Sequence, residues 1–485
     1  DMVLAEGSGM TLVPVSIATQ TNNARFKMEG SARLLNCYAE QTGDDAKAPL
    51  TVYAMSGLDV WTTVPATGTA SGVTGVRAFL ATDDYLYVVA GRNVTAIDAL
   101  GAQTAIVTLP ADGDVYLASN RRSPTPQVAL VSDGTGRIIT GTSIATISDA
   151  DLPAPTSVGY IDGYFLFPTT FDRVFISAED DGTSIAPLDY GRAQKNPDAT
   201  LHAIGGERDA MIFGAKSIEW WSNSPDGSGN FPFTPIASIN LGCAAAKTIV
   251  QLDRAVAWIA MDGTVRIQDG YSGRRISNHA QERMIASATT TIYGFGWNDK
   301  STGHAWMAWT CETWTIAYNM RTGLWCELRS FGQTNWRGVQ AIEWRGMTLI
   351  GDYQTGAIYR VDKDVATEGG EPIVMEMIPP VVHSAPYGMR INALFVDAVP
   401  GVGTGGPLDE NANPVLMVST SNDGGQTFGA ERRIALGVAG DRLRRLKTYR
   451  LGMFGPNGCT LRLACSASVA RAISGLAIDA DKLGA

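Results

Sequence analysis

One eight-residue stretch has residue types and a spacing that could build a defined polar site. Residues 421–428 read SNDGGQTF, which fits the S-x-D-x-G-x-T-F/W pattern of the Asp box. In such a turn the Asp423 carboxylate and the Ser421 hydroxyl accept backbone N–H groups, and Gly425 supplies a positive φ. Thr427 completes the pattern, and Phe428 is expected to pin the hairpin to the core beneath it. The pattern therefore predicts a structural hairpin.

The same pattern occurs in sialidases and other glycosidases, but there it repeats through the blades and lies away from the catalytic site. A single copy does not predict catalysis. A glycosidase would also need two carboxylates facing a pocket, whereas acidic groups such as residues 83–84 and 179–181 fall in turn contexts. We expect neither a catalytic pair nor a calcium site among them.

Other chemical motifs are absent or incomplete. The histidines stand far apart, outside any metal-ligand spacing: His202, His279, His304 and His383. Residues 401–406 match the residue pattern of the phosphate-binding motif G-x-G-x-x-G. However, Pro407 follows, and no helix is predicted to begin there and hold a phosphate. There is no G-x-S-x-G elbow and no Walker loop. The sequence predicts no catalytic residue, no metal and no cofactor, and hence a protein that is not an enzyme.

The six cysteines show no C-x-x-C and no zinc spacing; they are Cys37, Cys243, Cys311, Cys326, Cys459 and Cys465. Their scatter indicates buried thiols of a protein made in a reducing cytosol. A bridge between Cys311 and Cys326, or between Cys459 and Cys465, is the alternative.

Two further groups of residues each allow two interpretations. The basic group is either a solvated edge or a docking face for an acidic partner, and it comprises Arg432, Arg433, Arg442, Arg444, Arg445 and Arg450. The tryptophans of residues 306–325, with Trp336 and Trp344, either fill the wedge between neighbouring blades or form a platform for a sugar.

Composition limits the class of protein. A net charge of −10 argues against a dedicated nucleic-acid binder, although nucleic acid could pass such a surface without adhering. A hydrophobic content of 45% supports a core, and Gly 53 with Pro 22 suits many strands joined by tight turns. The first residues, DMVLAEG, lack the features of a secretion signal, and no apolar run reaches membrane-spanning length.

A repeated sequence pattern predicts the β-strands that would position these residues. An apolar run, a short polar turn and a second strand recur at intervals of about 44 residues, a period typical of propeller blades. The repeats begin near Arg77, Val115, Ser157, Leu201, Val250, Trp306 and Val339. Apolar runs of four or five suit inner strands, and the alternating second members suit half-exposed outer strands. The repeats predict a mainly β protein with six or seven blades, because the unit at residues 115–140 is ragged.

The residues before and after the repeats do not follow this pattern. We predict an N-terminal arm over residues 1–66, a propeller over 67–365 and a β-rich, sandwich-like domain over 366–485, with the arm and the sandwich forming a platform. Residues 278–288 are the only helix candidate, with Asn278 as its cap.

A series of short phrases gives the chain a resemblance to a known family. They include residues 36–40 (NCYAE), 55–58 (MSGL), 159–167 (GYIDGYFLF), 175–177 (FIS), 187–189 (PLD), 197–198 (PD), 214–220 (GAKSIEW), 242–245 (GCAA), 261–265 (MDGTV), 270–271 (GY) and 276–277 (IS). Over roughly residues 30–365, and more faintly beyond, the chain resembles the packaged-DNA-stabilisation, or tail hub (nozzle), proteins of short-tailed bacteriophages. Ser56 stands where that family has Pro, and residues 405–414 resemble a local insertion.

The resemblance implies a structural protein of the virion tail, assembled in the host cytoplasm as a ring of six copies below the portal and its adaptor ring. Such a ring continues the DNA channel, retains the packaged genome until ejection and carries tail fibres or tailspikes, with a tail needle or plug as a further partner. Two alternatives from other classes are a propeller glycosidase and a monomeric carbohydrate-binding propeller.

Overall fold

The protein is described here by a computed structural model, which covers residues 12–26, 30–43, 47–67, 74–148, 152–193, 195–196, 198–223, 231–405 and 409–483. The beginning of the predicted arm, Pro197 and part of the 405–414 loop lie outside these residues. Six strands precede the first complete blade: β1 (Leu12–Val15), β2 (Asn22–Asn23), β3 (Ser31–Leu35), β4 (Cys37–Gln41), β5 (Leu50–Ala54) and β6 (Gly57–Thr63).

In the part of the chain that the structure describes, seven four-stranded antiparallel units then follow one another, so the propeller has seven blades and not six. The first blade consists of β7 (Val76–Ala81), β8 (Tyr85–Ala90), β9 (Asn93–Asp98) and β10 (Gln103–Thr108). The second consists of β11 (Val115–Ser119), β12 (Gln127–Ser132), β13 (Thr135–Thr140) and β14 (Ser143–Thr146). The third consists of β15 (Gly159–Ile161), β16 (Tyr164–Pro168), β17 (Arg173–Ala178) and β18 (Asp181–Arg192). The unit at residues 115–140 that seemed ragged in sequence is thus a complete second blade.

The remaining blades follow the same plan. They are β19 (Thr200–Gly205), β20 (Asp209–Gly214), β21 (Ile218–Asn223) and β22 (Phe233–Ile239); β23 (Val250–Leu252), β24 (Ala255–Ile259), β25 (Val265–Asp269) and β26 (Ser272–Arg275); β27 (Tyr293–Asp299), β28 (His304–Thr310), β29 (Thr315–Asn319) and β30 (Leu324–Glu327); and β31 (Gly338–Trp344), β32 (Met347–Asp352) and β33 (Ala357–Asp362) with β6. The first strand of each blade faces the propeller axis, where it packs against the first strand of at least one adjacent blade.

The predicted places of the strands within each blade need correction, because the two strands of each repeat are the second and third strands of the blade. The long apolar runs are the second strands, such as β8 and β20, which are covered on both faces by neighbouring blades. Their partners, such as β9 and β21, are third strands and mostly buried, whereas the exposed strands are the fourth ones, such as β26. The sixth repeat begins at Tyr293. The sequence pattern placed its start near Trp306 because glycine alternates with larger residues in β27 and interrupts the apolar run.

The N-terminal segment closes the propeller ring. Strand β6 pairs antiparallel with β33, with Leu58 opposite Val361 and Gly57 opposite Asp362, and so supplies the fourth strand of the seventh blade. The predicted boundary at residue 66 therefore separates this strand from the blade that it completes. A closed ring leaves the seventh blade without an unpaired edge at β33.

The last strands build a two-layer sandwich together with the beginning of the chain. They are β36 (Met375–Ile378), β37 (Met389–Ala398), β38 (Val415–Ser421), β39 (Arg432–Ala435), β40 (Leu446–Phe454), β41 (Thr460–Cys465) and β42 (Ala472–Lys482). Two short strands before them, β34 (Thr367–Glu368) and β35 (Glu371–Pro372), instead extend the sheet of the seventh blade beyond β6. One sheet has the order β4-β5-β42-β37-β40 with β1 on β42, and the other has β3-β36-β41-β38-β39 with β2 on β3.

The sandwich and the propeller share one hydrophobic core. Strand β3 pairs with β30, so the second sandwich sheet continues the sixth blade outward. Buried side chains of the sandwich, such as Leu34 and Met377, belong to the same apolar cluster as Trp297 and Trp336 of the propeller. The two parts are therefore packed against each other through apolar side chains as well as through strand pairing.

The predicted helix is confirmed as α1 (His279–Ala286). The Asn278 side chain accepts the backbone N–H of Ala280, and the Gln281 side chain accepts the Asn278 N–H, which together form a capping box. All six cysteines are free and buried, as the first interpretation of their spacing expected, so neither alternative bridge is present.

Candidate functional site

The hairpin at residues 421–428 follows β38 and is held by its own side chains. The Asp423 carboxylate accepts the backbone N–H groups of Gln426 and Thr427 at 2.8 and 3.0 Å, and the Thr427 hydroxyl at 2.5 Å. The Ser421 hydroxyl donates to Asp423 at 2.6 Å and accepts the N–H of Gly425 at 2.9 Å. Hydrogen bonds from Ser421 and Thr427 hold the pKa of Asp423 well below its usual range.

Two other residues of the hairpin have different environments. Gly425 has a φ of +84°, a backbone conformation that favours glycine. Phe428 is only half-buried, and its ring centroid lies 4.7 Å from the Arg462 guanidinium carbon. The expected anchoring of Phe428 in the core therefore needs correction: the ring packs beneath an arginine at the surface of the sandwich. The hydrogen bonds of Ser421, Asp423 and Thr427 described above stay within the hairpin, which suits a turn rather than a ligand site.

The arginine face is the edge of the sandwich formed by Arg432, Arg433, Arg442, Arg444, Arg445 and Arg450. Strands β39 and β40 belong to different sheets, and the loop between them carries three of these residues. The Arg432 guanidinium joins the two strands by donating to the carbonyls of Tyr449 at 3.2 Å and Arg450 at 2.6 Å. The structure thus brings the arginines to one edge of the sandwich.

The members of the arginine face are not equivalent. Arg432 is committed to the sandwich itself, and Arg444 forms an ion pair of 2.9 Å with Asp441. Within the described chain, Arg433, Arg442, Arg445 and Arg450 are exposed and make no ion pair. These four arginines are therefore the ones whose charge is available to a partner.

Apolar side chains accompany this charge. Leu443, between Arg442 and Arg444, is 96% exposed, and Met453 on the edge strand β40 is 63% exposed. Val438 and Tyr449 are also exposed. Large apolar side chains in contact with water beside arginine are typical of protein interaction surfaces.

Three polar contacts fix the sandwich against the sixth blade. Arg33 on β3 binds Glu327 of the blade and Glu376 of the sandwich. The buried His304 ring bonds Glu40 on β4 at 3.2 Å through Nε2. The Ser56 hydroxyl donates to Asp299 at 2.5 Å. Sequence reasoning missed these residues, because each pair joins segments more than 240 positions apart and no local pattern marks them.

The tryptophan-rich stretch lies inside the protein. Trp306, Trp309, Trp325, Trp336 and Trp344 are at most 5% exposed. Trp306 stacks on Trp297, and Trp309 packs against Trp325. These rings fill the space between and beside blades, so they do not form an exposed platform for a sugar.

The described residues contain no group of three or more His, Cys, Asp or Glu side chains that could hold a metal ion. In the same residues, no helix is long and apolar enough to cross a membrane. A cavity of about 1090 Å³ at one end of the propeller is polar, and some of its acidic residues are already paired. Glu207 binds Arg254 at 2.6 Å, and Asp209 accepts the Tyr271 hydroxyl at 2.9 Å.

The seven blades and the attached sandwich define a β-propeller protein with a β-sandwich domain. The bacteriophage P22 Gp10 β-propeller model matches residues 52–366, and the bacteriophage P22 Gp10 β-sandwich model matches residues 375–481. The chain belongs to this family, the packaged-DNA-stabilisation or tail hub proteins of short-tailed bacteriophages. Its place is accordingly the virion tail, in assembly with other tail components.

Comparison with curated protein sequences gives no match. Among solved structures, the chain is similar to the WD40 β-propeller domain of Doa1, at 12% identity and a TM-score of 0.40, over 63% of this chain and 96% of that one. A mitotic checkpoint complex structure gives 11% identity and a TM-score of 0.45, over 67% and 96% of the two chains. Virginiamycin B lyase from Staphylococcus aureus gives 11% identity and a TM-score of 0.44, over 62% and 98%. Similarity at this level has no bearing on activity.

Proposed function

We propose that this chain forms a ring, most simply of six copies, below the portal and its adaptor ring, where it extends the DNA channel and retains the packaged genome. The observation that carries the proposal is the match of both parts of the chain, propeller and sandwich, to one family of phage tail proteins. Tail fibres or tailspikes, and a tail needle or plug, are the further partners expected of such a ring.

The junction between the two parts supports a mechanical role. A ring that holds DNA under pressure must transmit force from the adaptor-facing domain to the rest of the subunit. The shared apolar core and the Arg33 ion pairs join sandwich and propeller without a flexible linker at the sixth blade. Because protein interiors are close-packed, such a junction passes strain rather than absorbing it.

The arginine face is the proposed docking surface for the adaptor. Stable ring contacts need on the order of 2,000 Å² of buried surface or more, and the sandwich with its N-terminal strands is the part outside the propeller that can supply it. Exposed arginines beside Leu443 and Met453 suit an acidic partner with an apolar centre. The net charge of −10 fits a protein past which the phosphate backbone moves without adhesion.

Charge reversal tests the docking role. Arg442→Glu with Arg445→Glu changes two exposed residues and should leave the subunit folded. Because like charges across a contact cost several kcal/mol, particles with this double variant should lose tails and leak DNA. Arg121→Glu with Arg208→Glu, which reverses two exposed arginines of the propeller, is the matched control. Variant particles that keep tails and genome as well as wild type would rule out docking through this face.

We also propose that the chain catalyses no hydrolysis of glycans or nucleotides. The paired acidic residues of the large cavity and the burial of the tryptophans support this proposal. Purified protein should show no turnover of capsular or lipopolysaccharide glycans, or of nucleoside triphosphates. Sustained turnover that disappears on replacing a single carboxylate, such as Glu179→Gln in that cavity, would favour a glycosidase instead.

A further inference from the structure

The propeller axis contains a second cavity, of about 350 Å³, lined by the first strands and adjoining residues of all seven blades. This volume is many times what one water molecule needs. Arg77 of the first blade, Tyr116 of the second and His202 of the fourth line it. Lys247 enters from a single 3₁₀ turn, Ala246–Thr248, which precedes the fifth blade.

Two cations line this cavity with only backbone carbonyls as hydrogen-bond acceptors. The Lys247 ammonium donates to the Val115 carbonyl at 2.6 Å and lies 4.0 Å from the centroid of the Tyr116 ring. Arg77, only 8% exposed, donates from Nη1 to the Gly91 carbonyl at 2.8 Å, and its Nη2 has no partner. Neither cation forms an ion pair with a carboxylate in the described part of the chain.

The charges inside the cavity are incompletely balanced. Burial lowers the pKa of Lys247 to about 8, where attraction by Asp114 opposes the effect and repulsion by Arg77 adds to it. Burial, and then repulsion by Lys247, lowers the pKa of His202 to about 3. Asp114 is exposed at the rim, 3.4 Å from the Tyr116 hydroxyl. Asp112 and Asp133 also attract Arg77, but the described residues that line the cavity include Arg77 and Lys247 and no carboxylate. Positive charge therefore outweighs negative charge in the cavity wall.

We propose that this axial cavity binds a small multivalent oxyanion, such as inorganic phosphate, between Lys247 and Arg77. An ammonium and a guanidinium are the side chains that recognise phosphate and carboxylate oxygens in proteins. Nη2 of Arg77 and Nδ1 of His202 have no hydrogen-bond partner among the described residues, but both atoms are buried in the cavity wall and do not face its open space. A divalent anion would balance the charge of both cations. The small volume excludes a nucleic-acid strand.

Direct binding measurements on the full chain test this site. Isothermal titration calorimetry with inorganic phosphate, at pH 7 in chloride buffer of constant ionic strength, should show saturable binding with one phosphate per subunit. Malonate is the second probe and should compete with phosphate, since it carries two carboxylates of similar reach. Absence of saturable binding by the wild-type protein would overturn the proposal.

Variants locate the bound anion. Lys247→Met should weaken phosphate binding about tenfold or more, as loss of one charge-assisted contact does, and Lys247→Arg should largely restore it. Lys216→Met, a lysine outside the axial cavity, is the matched control. Should Lys247→Met fail to fold, Gln251→Glu serves instead, because it places a carboxylate in the cavity from an exposed side chain; Gln354→Glu is its control. Equal binding by Gln251→Glu and wild type would place the anion elsewhere and overturn the proposal.

Discussion

The Arg33 guanidinium binds the Glu327 carboxylate through two of its nitrogens, Nη2 at 2.7 Å and Nε at 3.1 Å. Its third nitrogen, Nη1, donates to Glu376 at 3.0 Å. Arg33 lies on β3, between the last strand of the sixth blade and strand β36 of the sandwich. One side chain from the beginning of the chain therefore bridges two carboxylates that would otherwise repel each other at the junction.

The first prediction concerns this ion pair. Arg33→Met should lower the free energy of unfolding by about 3 kcal/mol, because it leaves two largely buried carboxylates without a counter-charge. Urea unfolding followed by tryptophan fluorescence measures the change. Arg360→Met, whose ion pair with Asp59 is about half-exposed, should cost less than about 1 kcal/mol. Equal losses for the two variants would contradict a special role for Arg33.

The second prediction concerns closure of the ring. Leu58 on β6 is 1% exposed, whereas Val60 on the same strand is 50% exposed. Leu58→Ala should destabilise the protein by about 2–5 kcal/mol, as removal of buried methyl groups does. Val60→Ala should have a much smaller effect. If thermal unfolding shows the same shift for both, β6 does not hold the seventh blade through its buried face.

The third prediction concerns the Asp423 hairpin and acid. A carboxylate whose folded pKa is lowered adds stability above its unfolded pKa, and that stability disappears as the pH falls through the folded value. Wild type should therefore exceed Asp423→Asn in melting temperature at neutral pH, and the gap should shrink below the ordinary aspartate pKa of 3.8. Asp84→Asn, in an exposed turn, should show no such gap. A gap that does not change with pH would mean that the ionised carboxylate is not what the hairpin binds.

The fourth prediction concerns Lys247 and alkaline pH. Burial lowers its pKa from 10.5 to about 8, so between these values the unfolded chain binds a proton that the native chain does not. Raising the pH should then stabilise wild type relative to Lys247→Met, by at most about 3 kcal/mol. The groups facing Lys247 are Arg77, His202, Tyr116 and Asp114, and chloride buffer avoids the proposed anion. A stability difference that stays constant from pH 8 to 10.5 would show that Lys247 does not titrate there.

The sequence by itself predicted the features that depend on residues close together along the chain. The 44-residue period predicts blades because each blade needs the next to cover its face, and the capping box at Asn278 is similarly local. The Asp423 turn was also readable, since its hydrogen bonds join residues at most four positions apart. Phe428 was assigned the wrong surroundings because its contact, Arg462, comes from another strand.

Tertiary structure alone decided the contacts between distant segments. Closure of the ring by β6, the Arg33 junction and the pairing of β3 with β30 join the beginning of the chain to residues about 300 positions later. The number of blades depended on this closure, because the seventh blade is complete only with β6. The axial cavity likewise needs all seven first strands around one axis before Arg77 and Lys247 face the same space. Side-chain periodicity reports which face of a strand is buried, but it does not report which distant strand covers that face.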